Sequence, residues 1–178
     1  LPDVERMFHP AYVVAVYDID GDGRDEVFVG HVLLGSDGKP LWQINLQEKY
    51  GKDMLWWDQG TSPIFAAGNV VIAVMQTDGE SYLVSLDRKT GKVIWEQIAT
   101  EGAPKTKRHT KSSQATCTPA TDGKHVAAYF KSGTVAGLTT DGRELWRVNL
   151  QDKFGKDSLW WDIGSSPASR CRSGCMSL

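Results

Sequence analysis

The sequence predicts an all-β fold made of repeated four-stranded units, and three observations carry that prediction. Eighteen glycines and seven tryptophans in 178 residues point to many tight turns joining short strands that bury large rings. Two segments, Leu41–Pro63 (LWQINLQEKYGKDMLWWDQGTSP) and Leu145–Pro167 (LWRVNLQDKFGKDSLWWDIGSSP), are near-copies 104 residues apart. Between them, VIWEQI at Val93–Ile98 and TCTP at Thr116–Pro119 form a third, more diverged copy, so Trp42, Trp95 and Trp146 are spaced by 53 and 51 residues. Duplication of a two-unit block, each unit about half of the longer offset, accounts for this spacing.

Each element then follows from local pattern. In the first unit, Tyr12–Tyr17, Glu26–Leu34 and Pro40–Asn45 read as strands. In the second, Ser62–Phe65 supplies a short strand and Asn69–Met75 (NVVIAVM) a β-branched one. Ser81–Asp87 (SYLVSLD) alternates as a half-buried strand does, and the turn Arg88-Lys89-Thr90-Gly91 leads into Lys92–Gln97. The third unit repeats this with Lys124–Phe130, Thr134–Leu138 and Glu144–Asn149. Gly or Asp-Gly stands in each turn, where positive φ is needed. No stretch longer than about ten residues carries a capped 3.6-residue period. The units run over about 11–60, 61–115 and 116–165 of a single domain spanning 1–178, and 168–178 (ASRCRSGCMSL) reads as an irregular tail.

Four antiparallel strands at a period near 50 describe a propeller blade. About three blades fall short of the four that a ring requires, so the fold is a partial β-propeller, not closed within this chain. Trp42, Trp95 and Trp146, each on the last strand of its blade, are expected to fill the wedges between sheets, contributing about 2–3 kcal/mol apiece. Open sheet edges invite self-association. A sandwich of unrelated hairpins would leave the recurrence without a cause.

Several classes are excluded. No run of about 18 apolar residues exists, so no membrane span is expected. The net charge is −2, and the nearest basic block, Lys105 to Lys111, is short and interrupted; no nucleic-acid partner is expected. Aromatic and β-branched residues are too plentiful for disorder. Residue 1 is Leu and no apolar signal segment precedes the first acidic residues, which reads as a processed chain or a fragment. Cys117, Cys171 and Cys175 lack zinc-type spacing; a Cys171–Cys175 disulfide and unpaired thiols both fit. His9, His31, His109 and His125 show no paired ligand spacing, and no Gly-x-Ser-x-Gly elbow appears.

Two candidate sites emerge. Asp18-Ile19-Asp20-Gly21-Asp22-Gly23-Arg24-Asp25-Glu26 places oxygen ligands at positions 1, 3 and 5 with Gly at 6, as in the first half of a calcium loop. Asp18, Asp20, Asp22, the Arg24 carbonyl and Glu26 are the expected calcium ligands. Position 12 is Val29 instead of Glu, which departs from an EF-hand. The competing reading is a solvated acidic hairpin turn. The second constellation is Trp56-Trp57-Asp58 and Trp160-Trp161-Asp162, each in a Lys-Asp-x-Leu-Trp-Trp-Asp frame. Exposed, these rings would stack on sugars or anchor a protein partner, with the aspartates accepting hydrogen bonds; buried, one ring of each pair belongs to the core.

Ser81–Gln97 (SYLVSLDRKTGKVIWEQ) resembles the tryptophan-docking motif of pyrroloquinoline-quinone-like β-propeller repeats: Leu-Asp closing a strand, a Thr-Gly turn, and Trp four residues after the Gly. Gly38–Trp42 and Gly142–Trp146 keep that spacing with Asp-Gly turns, and the resemblance extends from Tyr12 to Pro167. The acidic loop resembles the calcium loops of FG-GAP-type propeller repeats. Quinoprotein dehydrogenases of this class hold a quinone and calcium on the propeller axis, with a catalytic Asp and usually a disulfide between adjacent cysteines. This sequence has no adjacent cysteine pair and no assignable axial Asp, so quinone is not expected. The related barrel-assembly lipoprotein of bacterial outer membranes is a pure binding scaffold. The resemblance therefore implies a non-catalytic binding or scaffold module of a secreted or periplasmic bacterial protein, with a structural calcium loop. The alternatives are a fragment of a quinone-dependent dehydrogenase or of a calcium-binding propeller polysaccharide lyase.

Overall fold

A computed structural model describes residues 14–30, 32–50, 61–75, 80–100, 117–130, 132–155 and 166–168. Twelve strands in these residues form three four-stranded antiparallel sheets, each a simple meander in chain order, and none closes on itself. The first blade is β1 (Val14–Tyr17), β2 (Glu26–Val29), β3 (Val32–Leu34) and β4 (Pro40–Gln43), followed by the short helix α1 (Leu46–Tyr50). The second is β5 (Ile64–Ala66), β6 (Asn69–Met75), β7 (Ser81–Asp87) and β8 (Val93–Thr100). The third is β9 (Ala120–Thr121), β10 (His125–Tyr129), β11 (Thr134–Thr139) and β12 (Glu144–Asn149), followed by α2 (Leu150–Phe154). The partial propeller expected from the repeat is what the chain forms.

Two local expectations are corrected. Glu26–Leu34 is a hairpin of β2 and β3, not one strand, because Gly30 adopts φ 59° and reverses the chain there. The segments following β4 and β12 turn helical for five residues each. Their cause is a capping asparagine. Asn149 accepts from the N–H of Gln151 and Asp152, and Asn45 exchanges bonds with Glu48, its Oδ1 accepting from the Glu48 N–H and its Nδ2 donating to Oε1. Each is N-capping by an asparagine side chain, on a helix too short to register as a 3.6-residue period.

The middle blade explains its own sequence. Val70, Ile72, Val84 and Leu86 pack toward the first blade with Phe28, Leu33, Trp42, Leu46 and Tyr50. On the opposite face Val71, Ala73 and Leu83 pack with Val126, Ala128, Phe130, Ala136 and Leu138 of the third blade. Side chains alternate across a strand, so a sheet covered on both faces needs apolar residues at consecutive positions. VVIAV is that run. The outer blades carry exposed Val14, Val16, Leu145 and Trp146, although Val32, on the face of the first blade opposite Leu33, is buried as well.

Candidate functional site

Interblade contact is built by the last strand of one blade reaching the β-turn of the next. Trp42, on β4, lies over the turn between β7 and β8: its Nε1 donates to the Arg88 carbonyl at 2.7 Å. A Cβ on Gly91 would sit 2.5 Å from the indole. Trp95, on β8, repeats this one blade on. Its Nε1 donates to the Thr140 carbonyl at 3.0 Å, and a Cβ on Gly142 would sit 2.6 Å from its ring. The turns themselves are held by carboxylates. Asp87 accepts from the Thr90 hydroxyl and from the N–H groups of Lys89 and Thr90, so the Thr90 bonds, chiefly, hold its acidity below the usual carboxylate range. The Asp141 carboxylate accepts from the Thr139 hydroxyl, with the same effect on its acidity. Among the described residues, Trp146, on β12, meets no such turn; it is 49% exposed and lies against Gly137 of its own sheet.

A second interblade link joins α1 to β8. The Tyr50 hydroxyl donates to Glu96 Oε2 at 2.5 Å, and Lys49 Nζ donates to the same oxygen at 2.6 Å. Burial, first, and then the bond to Glu96 push the Tyr50 phenol well above the ordinary tyrosine range. The Lys49 ammonium, followed by the Tyr50 hydroxyl, holds Glu96 below the carboxylate range.

Asp122 is held far below its ordinary value, chiefly by the His125 side chain and then by the Lys124 and His125 N–H groups. Lowered carboxylates stabilise the fold above their unfolded value near 4 and lose that contribution as pH falls through their folded values. The raised Tyr50 stabilises it below the unfolded value near 10 and loses that as pH rises through the folded value. Thermal unfolding midpoints are therefore expected to be flat between about pH 5 and 9 and to fall on both sides. Asp122→Asn should flatten the acid limb and Tyr50→Phe the alkaline one.

The acidic loop joins β1 to β2. Asp18 accepts from the N–H groups of Gly21 (2.7 Å), Asp22 (3.1 Å) and Gly23 (2.9 Å). Asp20 accepts from the Asp22 N–H and Asp22 from the Arg24 N–H. Gly21 and Gly23 adopt φ 82° and 84°, the conformation that lets the loop coil so tightly. One carboxylate oxygen from each of Asp18, Asp20 and Asp22 lies within 4.8 Å of the others. Glu26 is not among them. It is buried, and its Oε2 accepts from the Ile19 N–H at 2.9 Å, tying the loop's start to β2. The loop is also clasped from the second blade, where the Arg88 guanidinium donates to the Ile19 carbonyl. Sequence reasoning passed over Arg88, whose only signal was its place in a recurring turn. Trp56, Trp57, Asp58, Trp160, Trp161 and Asp162 lie outside the described residues, as do His109, Cys171 and Cys175. Cys117 is buried.

Among solved structures, the quinohemoprotein alcohol dehydrogenase from Comamonas testosteroni is similar with a TM-score of 0.52 and 16% identity, over 70% of this chain and 26% of its own. BamB from Moraxella catarrhalis is similar at 14% identity and a TM-score of 0.45, over 78% of this chain and 33% of its own. The chain thus spans a third or less of the length of either. The likeness to the dehydrogenase is one of fold. A family model described as outer membrane protein assembly factor BamB matches residues 20–174, from the acidic loop through the third blade. The chain is therefore a pyrroloquinoline-quinone-like propeller repeat protein and belongs to the family of outer membrane protein assembly factor BamB.

Proposed function

We propose that the chain is a non-catalytic binding scaffold of an assembly factor acting outside the cytoplasm, in the bacterial periplasm or beyond, with a protein as its partner. The observation that carries this reading is the match of residues 20–174 to the family of outer membrane protein assembly factor BamB. Trp42, Trp95, Asp87 and Glu96 spend their polar groups on links between blades and within turns. These side chains hold blades and turns together, which suits a rigid platform. On this reading Trp42 and Trp95 act as docking elements between blades. Among the described residues, no helix is long and apolar enough to cross a membrane, which suits a partner-binding domain that stands clear of the bilayer.

The test is a comparison of activities. With added pyrroloquinoline quinone and calcium, the chain is expected to show neither bound-quinone absorbance nor dye-linked alcohol oxidation. Crosslinking in the periplasm is expected to yield adducts with the machinery that assembles outer-membrane proteins. Dye-linked oxidation would establish the dehydrogenase reading. Quenching of tryptophan fluorescence by oligosaccharides, lost in Trp57→Ala or Trp161→Ala, would instead favour carbohydrate binding.

A structural calcium ion at Asp18, Asp20 and Asp22 belongs to the same proposal. Three converging carboxylates repel one another, and a cation relieves that repulsion. Glu26 is engaged with Ile19, so a bound ion would complete its shell from backbone carbonyls and water. Calcium at about 100 times its dissociation constant is expected to stabilise the protein by about 2.7 kcal/mol. Calorimetry with and without chelator should register this, and Asp20→Asn with Asp22→Asn should abolish it. An unchanged melting temperature would leave a solvated turn.

A further inference from the structure

We infer that the outer edge of the blades is a docking rim for an acidic, aliphatic segment of a protein partner, gripped by Lys39, Leu41, Lys92, Ile94, Arg143 and Leu145. This rests on the reading of the chain as a protein-binding scaffold, and it names the surface and the chemistry of what binds there. The feature that marks the rim recurs in every blade. Leu34 pairs with Pro40 but Leu33 with Trp42, so Leu41 is an extra residue in β4. Ile94 is the extra residue in β8, between Val93, the partner of Leu86, and Trp95, the partner of Ser85. Leu145 is the extra residue in β12, between Glu144, the partner of Leu138, and Trp146, the partner of Gly137. Such a β-bulge takes a residue out of the ladder and re-aims side chains at that point. The three aliphatics are 55%, 50% and 45% exposed.

That exposure does not come from a missing neighbour. The second blade packs on the first and the third on the second, yet Leu41 and Ile94 are more exposed than Leu145 on the outer blade. The rim therefore does not depend on how many further blades adjoin these three. Nor is it only a guard against pairing at the sheet edge. A bulge by itself interrupts the ladder, and a charge or a proline completes such a guard. An exposed Leu or Ile adds the apolar surface that a guard removes.

Charge identifies the occupant. Two residues before each aliphatic stands a cation: Lys39, Lys92 and Arg143. Their carbonyls close the same turn in each blade, accepting from the N–H groups of Gly35, Asp87 and Thr139, and their side chains are exposed. The carboxylates of these turns and strands are already engaged. Asp37 pairs with Lys39 and Glu144 with Arg147, Asp87 accepts from Thr90 and Asp141 from Thr139, and Glu96 accepts from Lys49 and Tyr50. Lys92 and Arg143 make no ion pair among the described residues. The residue after the tryptophan changes from Gln43 to Glu96 to Arg147, whereas cation and aliphatic recur. This pairing is complementary to a segment that carries carboxylates beside apolar side chains. Packed sheets lie about 10 Å apart, so the rim spans at least about 20 Å, the reach of about six extended residues.

Photo-crosslinking in the cell tests this, with a benzophenone side chain at position 94 and, as a control, at the exposed position of Lys124. Position 94 is expected to capture a protein, and mass spectrometry to place the adduct in a segment where Asp or Glu lies close to Leu, Ile or Val. Leu41→Ser with Leu145→Ser, and separately Lys92→Glu with Arg143→Glu, should each lower the yield at least about tenfold, the loss of an anchor. All these positions are exposed, so circular dichroism should show both variants folded. Yields unchanged in either variant, an adduct on a segment without carboxylates, or capture of lipid in place of protein would overturn the proposal. Capture at position 124 with none at 94 would overturn it and leave the scaffold reading standing, whereas capture at neither would remove both.

Discussion

Trp42→Ala is expected to cost about 3–5 kcal/mol of stability, whereas Trp146→Ala should cost under about 1 kcal/mol. The two residues occupy the same position of near-identical segments, so composition and strand propensity cancel in the comparison. What differs is the surroundings. Trp42 is 8% exposed, its ring 5.8 Å from that of Phe28 at a tilt of 57°, and its N–H is satisfied by Arg88. Truncation removes a large buried surface, leaves a cavity between two sheets, and strands a carbonyl. Trp42→Phe should restore most of the packing but not the hydrogen bond, recovering all but about 1–2 kcal/mol. Chemical unfolding monitored by circular dichroism measures the series. Equal losses at positions 42 and 146 would show that the indole does not wedge the first two blades together.

The second large effect is expected at the glycine beneath that ring. Gly91→Ala should destabilise by several kcal/mol, but Gly38→Ala only by the about 1–2 kcal/mol of left-handed backbone strain. Both glycines have positive φ, 68° and 75°, and both precede a tryptophan by four residues. Yet an alanine methyl at Gly91 would lie 2.5 Å from Trp42, while one at Gly38 would meet open space. The excess at Gly91 is therefore the cost of displacing the indole. In the Trp42→Ala background Gly91→Ala should fall to the Gly38→Ala value. A double-mutant cycle reads that coupling directly, and additive losses would refute the contact.

These contrasts mark where sequence reasoning reaches and where it stops. The recurrence of Trp42, Trp95 and Trp146 at a near-constant interval was enough to indicate blades, because a repeated unit that cannot bury its faces alone must stack on its neighbours. Turn glycines were legible for a similar reason: positive φ excludes most other residues. The short helices were not, since five residues are less than two turns; of their capping asparagines, Asn149 ends β12 and Asn45 follows β4 by two residues. Of the acidic loop, the convergence of Asp18, Asp20 and Asp22 could be read from their spacing, but the diversion of Glu26 to the Ile19 amide could not.

By itself the sequence determined the period and the all-β class, because those depend on hydrophobic alternation and turn chemistry within a few residues of one another. Only the tertiary structure decided which glycine each tryptophan covers. The Gly-x-x-x-Trp spacing sits within one unit, but the indole of Trp42 lies on Gly91 and that of Trp95 on Gly142, each in the following blade. The same decision separates Trp42 from Trp146, whose neighbours along the chain are nearly the same. Burial is a property of what lies opposite a sheet, and local sequence carries no record of it.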